Sequence, residues 1–351
     1  MVKKLPKASL FSTDIGIDLG TANTLVYVRC RGIVITEPSV VATNEKTGQV
    51  VAIGKEAKVM LGKTPPHVKA VRPLSHGVIY DFEVTQELLA YLIRKAQGDR
   101  ARLFGPRVVV GVPTGVTNVE SRAVRDAALS SGAREVYIVE EPMAGAIGAK
   151  LPVNEPVGTM VLDIGGGTTD IAVLSLGGTV ASKSSQVAGD RFNENIIDYV
   201  RSEFQLAIGE RTAEETKIAI GAVLPLDTKL VKAVRGRDLA TGLPREILLT
   251  DSHIREALEP SLDTLMEAMK DVIEHTPPEL LSDVLQRGVT VFGGGALLRG
   301  LPELLAKMLG VPVHVAPDPL TAVVRGTGII TEDPRPWESV FMHEEAIISK
   351  A

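Results

Sequence analysis

MVLDIGGGTTDIAVLSLGG, residues 160–178, decides how the rest of the chain is read. An apolar run ends in Asp163, three glycines follow, and then Thr168, Thr169 and a stretch with Ile171 and Val173 in alternation. That order predicts a strand, a tight turn and a returning strand. Glycines at 165, 166 and 167 let backbone N–H groups approach phosphate oxygens, because no Cβ intervenes and positive φ is accessible. The stretch has an ungapped echo in IGIDLGTANTLVYV, residues 15–28. Asp18-Leu19-Gly20 matches Asp163-Ile164-Gly165, Thr24 matches Thr169, and Val26 and Val28 match Ile171 and Val173. One Asp-x-Gly hairpin arises easily by chance. Two in register, each near the start of an α/β half, point to an internal duplication. Gly20, Thr21, Ala22 and Asn23 would form one phosphate turn, and Gly165, Gly166, Gly167 and Thr168 the other. Asp18 and Asp163 would hold a hydrated Mg²⁺ between them, since that ion keeps several waters and takes only one or two carboxylates.

A third glycine cluster lies in VTVFGGGALLRGL, residues 289–301. A strand, Gly293, Gly294 and Gly295, and a helix opening at Ala296 would make a terminus that favours an anion or nucleotide. Many α/β proteins carry such a turn, and it matters here as the third of three. Competing nucleotide motifs fail. A P-loop around Gly62-Lys63-Thr64 needs glycine at position 57, which is Ala57, and Pro65 and Pro66 spoil the helix that should follow. No GxGxxG opens a helix, so the dinucleotide fingerprint is absent.

The 351 residues suffice for about two domains. With 44% hydrophobic and 23% charged residues, a packed core is readily supplied. A net charge of −5 argues against a nucleic-acid partner. The single cysteine, Cys30, excludes a disulfide framework and suits a reducing compartment. The six histidines are scattered, which argues against a transition-metal site. No apolar run approaches the roughly 20 residues of a membrane span, and MVKKLPKASLF lacks the long apolar core of a signal peptide. A cytosolic protein is expected.

Strand and helix patterns alternate along the chain. Residues 39–44 and 49–54 read as a strand pair, and 85–98 as a helix with Leu88, Leu89, Leu92 and Ile93 on one face. A strand at 107–113 precedes a helix that opens in a Thr117–Glu120 capping box and stops at Gly132. A strand at 135–142, a long helix at 252–275 bent by Pro260, and helices at 277–288 and 296–309 follow. Trp337, Val340, Phe341 and Ile347 would dock as a final helix.

The ordered set GIDLGTANT, IVEEPMAGAIGA, LDIGGGTTD and VFGGGALLRG resembles the actin, sugar-kinase and heat-shock-chaperone ATPase superfamily. Within it, DLGTANTLVYV, EEPMAGAIGA, IGERTAEETKI and GGGALLRGL are similar to the MreB family of bacterial actins, over residues 14–330. The resemblance implies an α/β, actin-like ATPase fold: two duplicated lobes, each a mixed sheet flanked by helices, plus two small subdomains. Lobe I would comprise residues 1–151, with its subdomain near 33–80, completed by 318–351. Lobe II would comprise 152–317, with its subdomain near 190–250.

The resemblance also assigns roles. Glu141, before Pro142, would position the attacking water with help from Thr168; Glu140 is the alternative one residue away. Phosphoryl transfer needs mainly alignment and charge stabilisation, so a carboxylate and a hydroxyl suffice. Glu214 and Lys217 would contact adenosine, although their spacing alone reads as a surface ion pair. Gly294, Gly295 and Ala296 would complete the base and ribose pocket. ATP or ADP with Mg²⁺ is the implied cofactor, and slow hydrolysis tied to polymerisation the implied activity.

One further implication concerns GDRARLFGPR, residues 98–107, where Arg100, Arg102 and Arg107 flank Leu103 and Phe104. Ordinary core packing under the preceding helix is one reading. The resemblance favours insertion into the inner face of the cytoplasmic membrane, at about 1.5–3 kcal/mol per side chain and about 1 kcal/mol per nearby arginine on anionic lipid. That is weak for a monomer and firm for a filament, through avidity. Lys3, Lys4 and Lys7 beside Leu5, Leu10 and Phe11 offer a second contact, which Pro6 weakens as a helix. Implied partners are further copies of the chain in paired protofilaments, the membrane, and cell-wall synthesis and rod-shape proteins. A soluble small-molecule kinase of the same fold would need a general base, and none stands out. A chaperone ATPase would need a peptide-binding domain beyond Thr331, where only the tail to residue 351 follows. Plasmid-segregating and division-associated actin relatives remain alternatives.

Overall fold

The computed structural model describes residues 14–98 and 105–342. Ile15–Leu19 pairs antiparallel with Asn23–Val28, placing Asp18 opposite Leu25. Thr159–Ile164 pairs in the same way with Thr169–Ser175, placing Asp163 opposite Asp170. The two registers coincide pair for pair when Asp18 is laid on Asp163. Each hairpin is extended on one side by an antiparallel strand, Gly32–Pro38 or Gly178–Ser185. On the other side lie two parallel strands: Arg107–Val112 then Glu135–Glu140, and Val289–Phe292 then Val313–Val315. Two five-stranded sheets of one topology result, so the duplication spans whole sheets. Arg107–Val112 lies between parallel neighbours and is buried at every position, which is why it reads as a nearly continuous apolar run.

Helix Phe82–Gln97 lays Leu88, Leu89, Leu92 and Ile93 on the first sheet. It begins ahead of the expected position because the Asp81 carboxylate accepts from the Val84 N–H at 3.0 Å, an N-cap. The capping box of Thr117 and Glu120 opens helix Asn118–Ser130. Helix Asp251–Glu274 runs through Pro260 as one element.

Two expectations are corrected. The third glycine cluster does not open an α-helix: Gly294–Leu297 is a 3₁₀ turn, and the helix is Leu301–Leu309. Pro302 explains this, since a proline is at home in a first turn but would clash with the carbonyl four residues back in a helix running from 296. In the part of the tail that is described, Arg335–Val340 is a 3₁₀ segment and not an α-helix. Phe341 bridges to Val139 and stacks on Tyr137 at 4.8 Å, while Ile347 lies outside the described residues.

Helices Glu141–Gly148 and Ala322–Glu332 pack together between the sheets. Their core includes Val109 and Val139 from the first sheet and Val161, Leu174 and Phe292 from the second. Glycine lets the helices touch: a Cβ on Gly148 would strike the Ala322 carbonyl, and one on Gly326 the Ala144 carbonyl. Two small three-stranded sheets complete the fold. One is built from Val41–Asn44, Val50–Ile53 and Val68–Val71, the other from Leu206–Ala207, Val231–Asp238 and Pro244–Thr250. Among the described residues, no helix is long and apolar enough to cross a membrane.

Candidate nucleotide-binding site

The two hairpin turns face each other. A Cβ on Gly166 would come within 2.7 Å of the Ala22 Cβ, and one on Gly167 within 2.9 Å of the Thr21 Cβ. Only glycine permits that approach. The second turn is closed by the Gly165 N–H donating to the Thr168 carbonyl at 2.9 Å. The Thr21 hydroxyl accepts from the Gly77 N–H at 3.0 Å, which fixes the first turn against the loop after Arg72. Between the turns opens a cavity of about 450 Å³, within the size range of small-molecule sites. Gly20, Thr21, Ala22, Asn23, Gly165, Gly166, Gly167 and Thr168 all line it.

Its floor is acidic. Asp18, Glu141 and Asp163 line the cavity, and Asp170 lies buried beneath. Burial pushes Asp18 up to about 7. Burial first, then the charges of Asp18, Asp170 and Asp163, raises Glu141 well above the usual carboxylate range. Asp163 is raised in the same way, by burial and then by Asp170 and Asp18. Buried carboxylates that repel one another call for a cation. Among the described residues no three His, Cys, Asp or Glu side chains converge as direct ligands, so the donor set fits an ion held through its waters, as Mg²⁺ allows. The strand-to-helix junction separates the two candidate glutamates: Glu140 ends strand Glu135–Glu140 and accepts the Thr179 hydroxyl at 2.8 Å, while Glu141 opens helix Glu141–Gly148 and lines the cavity.

Glu214 and Lys217 both line the cavity, each with its own partner. Lys217 donates to the Gly189 carbonyl at 2.6 Å and lies over the Phe192 ring, and burial lowers its pKa to about 8. Glu214 reaches across the cleft to Lys58 at 3.0 Å. Gly294 and Gly295 line the cavity, but Ala296 turns into the core of the second half, and Leu297, Leu298 and Arg299 take the wall instead. Sequence reasoning missed Asp190, Phe192 and Asn193, on helix Gly189–Phe204. Asn193 is buried with its side-chain oxygen unpartnered, a polar atom in the wall with no partner in the protein. The one local signal in VAGDRFNE is a single glycine, Gly189, at the first position of that helix. Leu103 and Phe104 lie outside the described residues.

Residues 12–339 match the MreB/Mbl protein family. The chain belongs to that family. It is 50% identical over 354 residues to the cell shape-determining protein MreB of Escherichia coli (strain K12), covering 100% of both chains. It is 48% identical over 324 residues to the cell shape-determining protein Mbl of Bacillus subtilis (strain 168), covering 92% of this chain and 97% of that one. Among solved structures it resembles MreB5 of Spiroplasma citri bound to AMPPNP, with a TM-score of 0.88 and 37% identity over 93% of this chain and 98% of the other. The MamK double helical filament shares the fold, with a TM-score of 0.78 at 24% identity over 92% of this chain and 99% of the other. The fold is therefore actin-like, and the chain is an actin-like cytoskeletal protein.

Proposed function

We propose that the protein is an ATP-driven cytoskeletal polymer that determines rod shape by organising cell-wall synthesis at the inner face of the cytoplasmic membrane. The observation that carries this reading is the pair of glycine turns in van der Waals reach of each other above a floor of buried carboxylates. It is supported by relatives named for cell shape and by a neighbour bound to an ATP analogue. The turns hold the phosphates with backbone N–H groups and with the hydroxyls of Thr21 and Thr168. Glu214, Lys217, Gly294 and Gly295 take the nucleoside. Asp18 and Asp163 would hold Mg²⁺ through its waters, and the ion would supply neutralisation of phosphate charge. Glu141 accepts a hydrogen bond from the attacking water and aims it at the terminal phosphate, with Thr168 holding its other side; alignment is most of what this reaction asks of a protein.

In this reading lobe I comprises residues 1–151 with 318–351, lobe II comprises residues 152–317, and the nucleotide binds where they meet. Paired protofilaments multiply the weak membrane contact of Leu103 and Phe104. Sedimentation with Mg-ATP beside a phosphate-release assay tests the reading. Polymer with slow release supports it, and a protein that neither pellets nor hydrolyses refutes it.

A further inference from the structure

Asp170 is a buried carboxylate that the mechanism above does not use. It is 1% exposed, at the start of the returning strand and two residues after Thr168. The duplication puts Leu25 at the matching position of the first hairpin, so an apolar residue satisfies this fold there. A buried charge is costly by comparison. Its partners come from both halves. Ser184 lies opposite it on the neighbouring strand, and hydrogen bonding from the Ser184 and Thr168 side chains counters the upward push of burial on its carboxyl. The backbone N–H of Thr114, just past strand Arg107–Val112 of the other sheet, donates to its Oδ1 at 3.0 Å. The Thr114 hydroxyl is buried without a partner, so its backbone carries this contact. Pro113 and Thr168 also close on Gly77, where a Cβ would strike Pro113 and lie 3.2 Å from Thr168 Cγ2. Asp170 is near enough to Glu141 for its charge to be felt there.

We propose that Asp170 is a positioning residue for ATP hydrolysis. By accepting the Thr168 hydroxyl proton it turns the Thr168 lone pairs towards the attacking water. Because the Thr114 N–H belongs to the opposite half, this orientation holds only while the halves are closed on each other. The proposal rests on the roles given above to Thr168 and Glu141.

The test uses the full chain with Asp170→Asn, Asp170→Glu, Thr168→Ala and the Asp170→Asn/Thr168→Ala double variant. Single-turnover phosphate release and affinity for a fluorescent ATP analogue are measured with Mg²⁺. Asp170→Asn is expected to slow release about 10- to 100-fold while affinity changes less than about twofold. Asp170→Glu, which keeps the carboxylate that Asn replaces with an amide, is expected to recover part of that rate. The double variant is expected to be no slower than Thr168→Ala alone, the signature of residues acting as a unit. Wild-type release in Asp170→Asn, or a further loss in the double variant, overturns the proposal. If the Asn variant does not fold, Asp170→Glu with and without Thr168→Ala gives the same comparison. Wild-type release in Thr168→Ala and Glu141→Ala would instead remove the underlying assignment of those two residues.

Discussion

Glu140 and Glu141 are adjacent, but one ends a strand and the other opens a helix, which gives them opposite surroundings. Glu141 is buried among Asp18, Asp163 and Asp170, whereas Glu140 holds a surface threonine. Glu141→Ala should lower phosphate release by roughly 100-fold or more with nucleotide binding retained, and Glu140→Ala should release phosphate at close to the parent rate. Retained hydrolysis in Glu141→Ala would refute the assignment. Asp163 offers a second prediction of less obvious sign. In the nucleotide-free protein it is a buried acid repelled by its neighbours, so Asp163→Asn should raise stability to thermal unfolding by roughly 1 kcal/mol. The same substitution should abolish the extra stabilisation that Mg²⁺ adds to ATP binding, read as the difference in Tm between Mg-ATP and ATP with EDTA. The turn residues, Asp18 and Asp163 were legible in the sequence, because close phosphate approach demands glycine and strand ends place aspartate; Glu141 came from the family resemblance, and the buried Asp170 carried no local signal. Asp190 and Asn193 were not, because ordinary helix positions become walls of a site only through tertiary packing.

At the scale of elements, the duplicated hairpins and the capped helices follow from local pattern, and both could be read directly. The glycine pair between helices Glu141–Gly148 and Ala322–Glu332 could not, since nothing local says that Gly148 and Gly326 will face a backbone carbonyl. Gly326→Ala must push these helices apart and should cost about 1–3 kcal/mol, as overpacking does. Gly209→Ala, where a Cβ meets nothing within 4 Å, is the control and should melt within a few degrees of the parent. Equal melting of the two variants would mean that the helix contact is not tight. The 3₁₀ turn at Gly294–Leu297 carries a related lesson: a strand, glycines and an apolar run suggest a helix start, but Pro302 sets where the helix can begin.

For the molecule as a whole, ion pairs span the mouth of the cleft. Arg72, just beyond one small sheet, meets Asp190 at 3.2 Å and Glu210 at 2.6 Å, and Lys58 meets Glu214 at 3.0 Å. Such partly exposed pairs contribute about 0–1 kcal/mol each. Arg72→Ala with Lys58→Ala should therefore speed nucleotide release by roughly threefold to tenfold, and added salt should do the same to the parent protein but not to the variant. An unchanged off-rate would show that these pairs do not restrain the cleft. Their residues are far apart in sequence, which hid them from any local reading. The proposed function is that of a nucleotide-driven polymer that lies on membrane. Its most direct test is electron microscopy of the full chain on an anionic lipid monolayer with Mg-ATP, beside the Leu103→Ser/Phe104→Ser variant. Filaments lying on the lipid, lost from it in the variant yet still formed in solution, are the predicted result. No filaments with any nucleotide would contradict the proposed function.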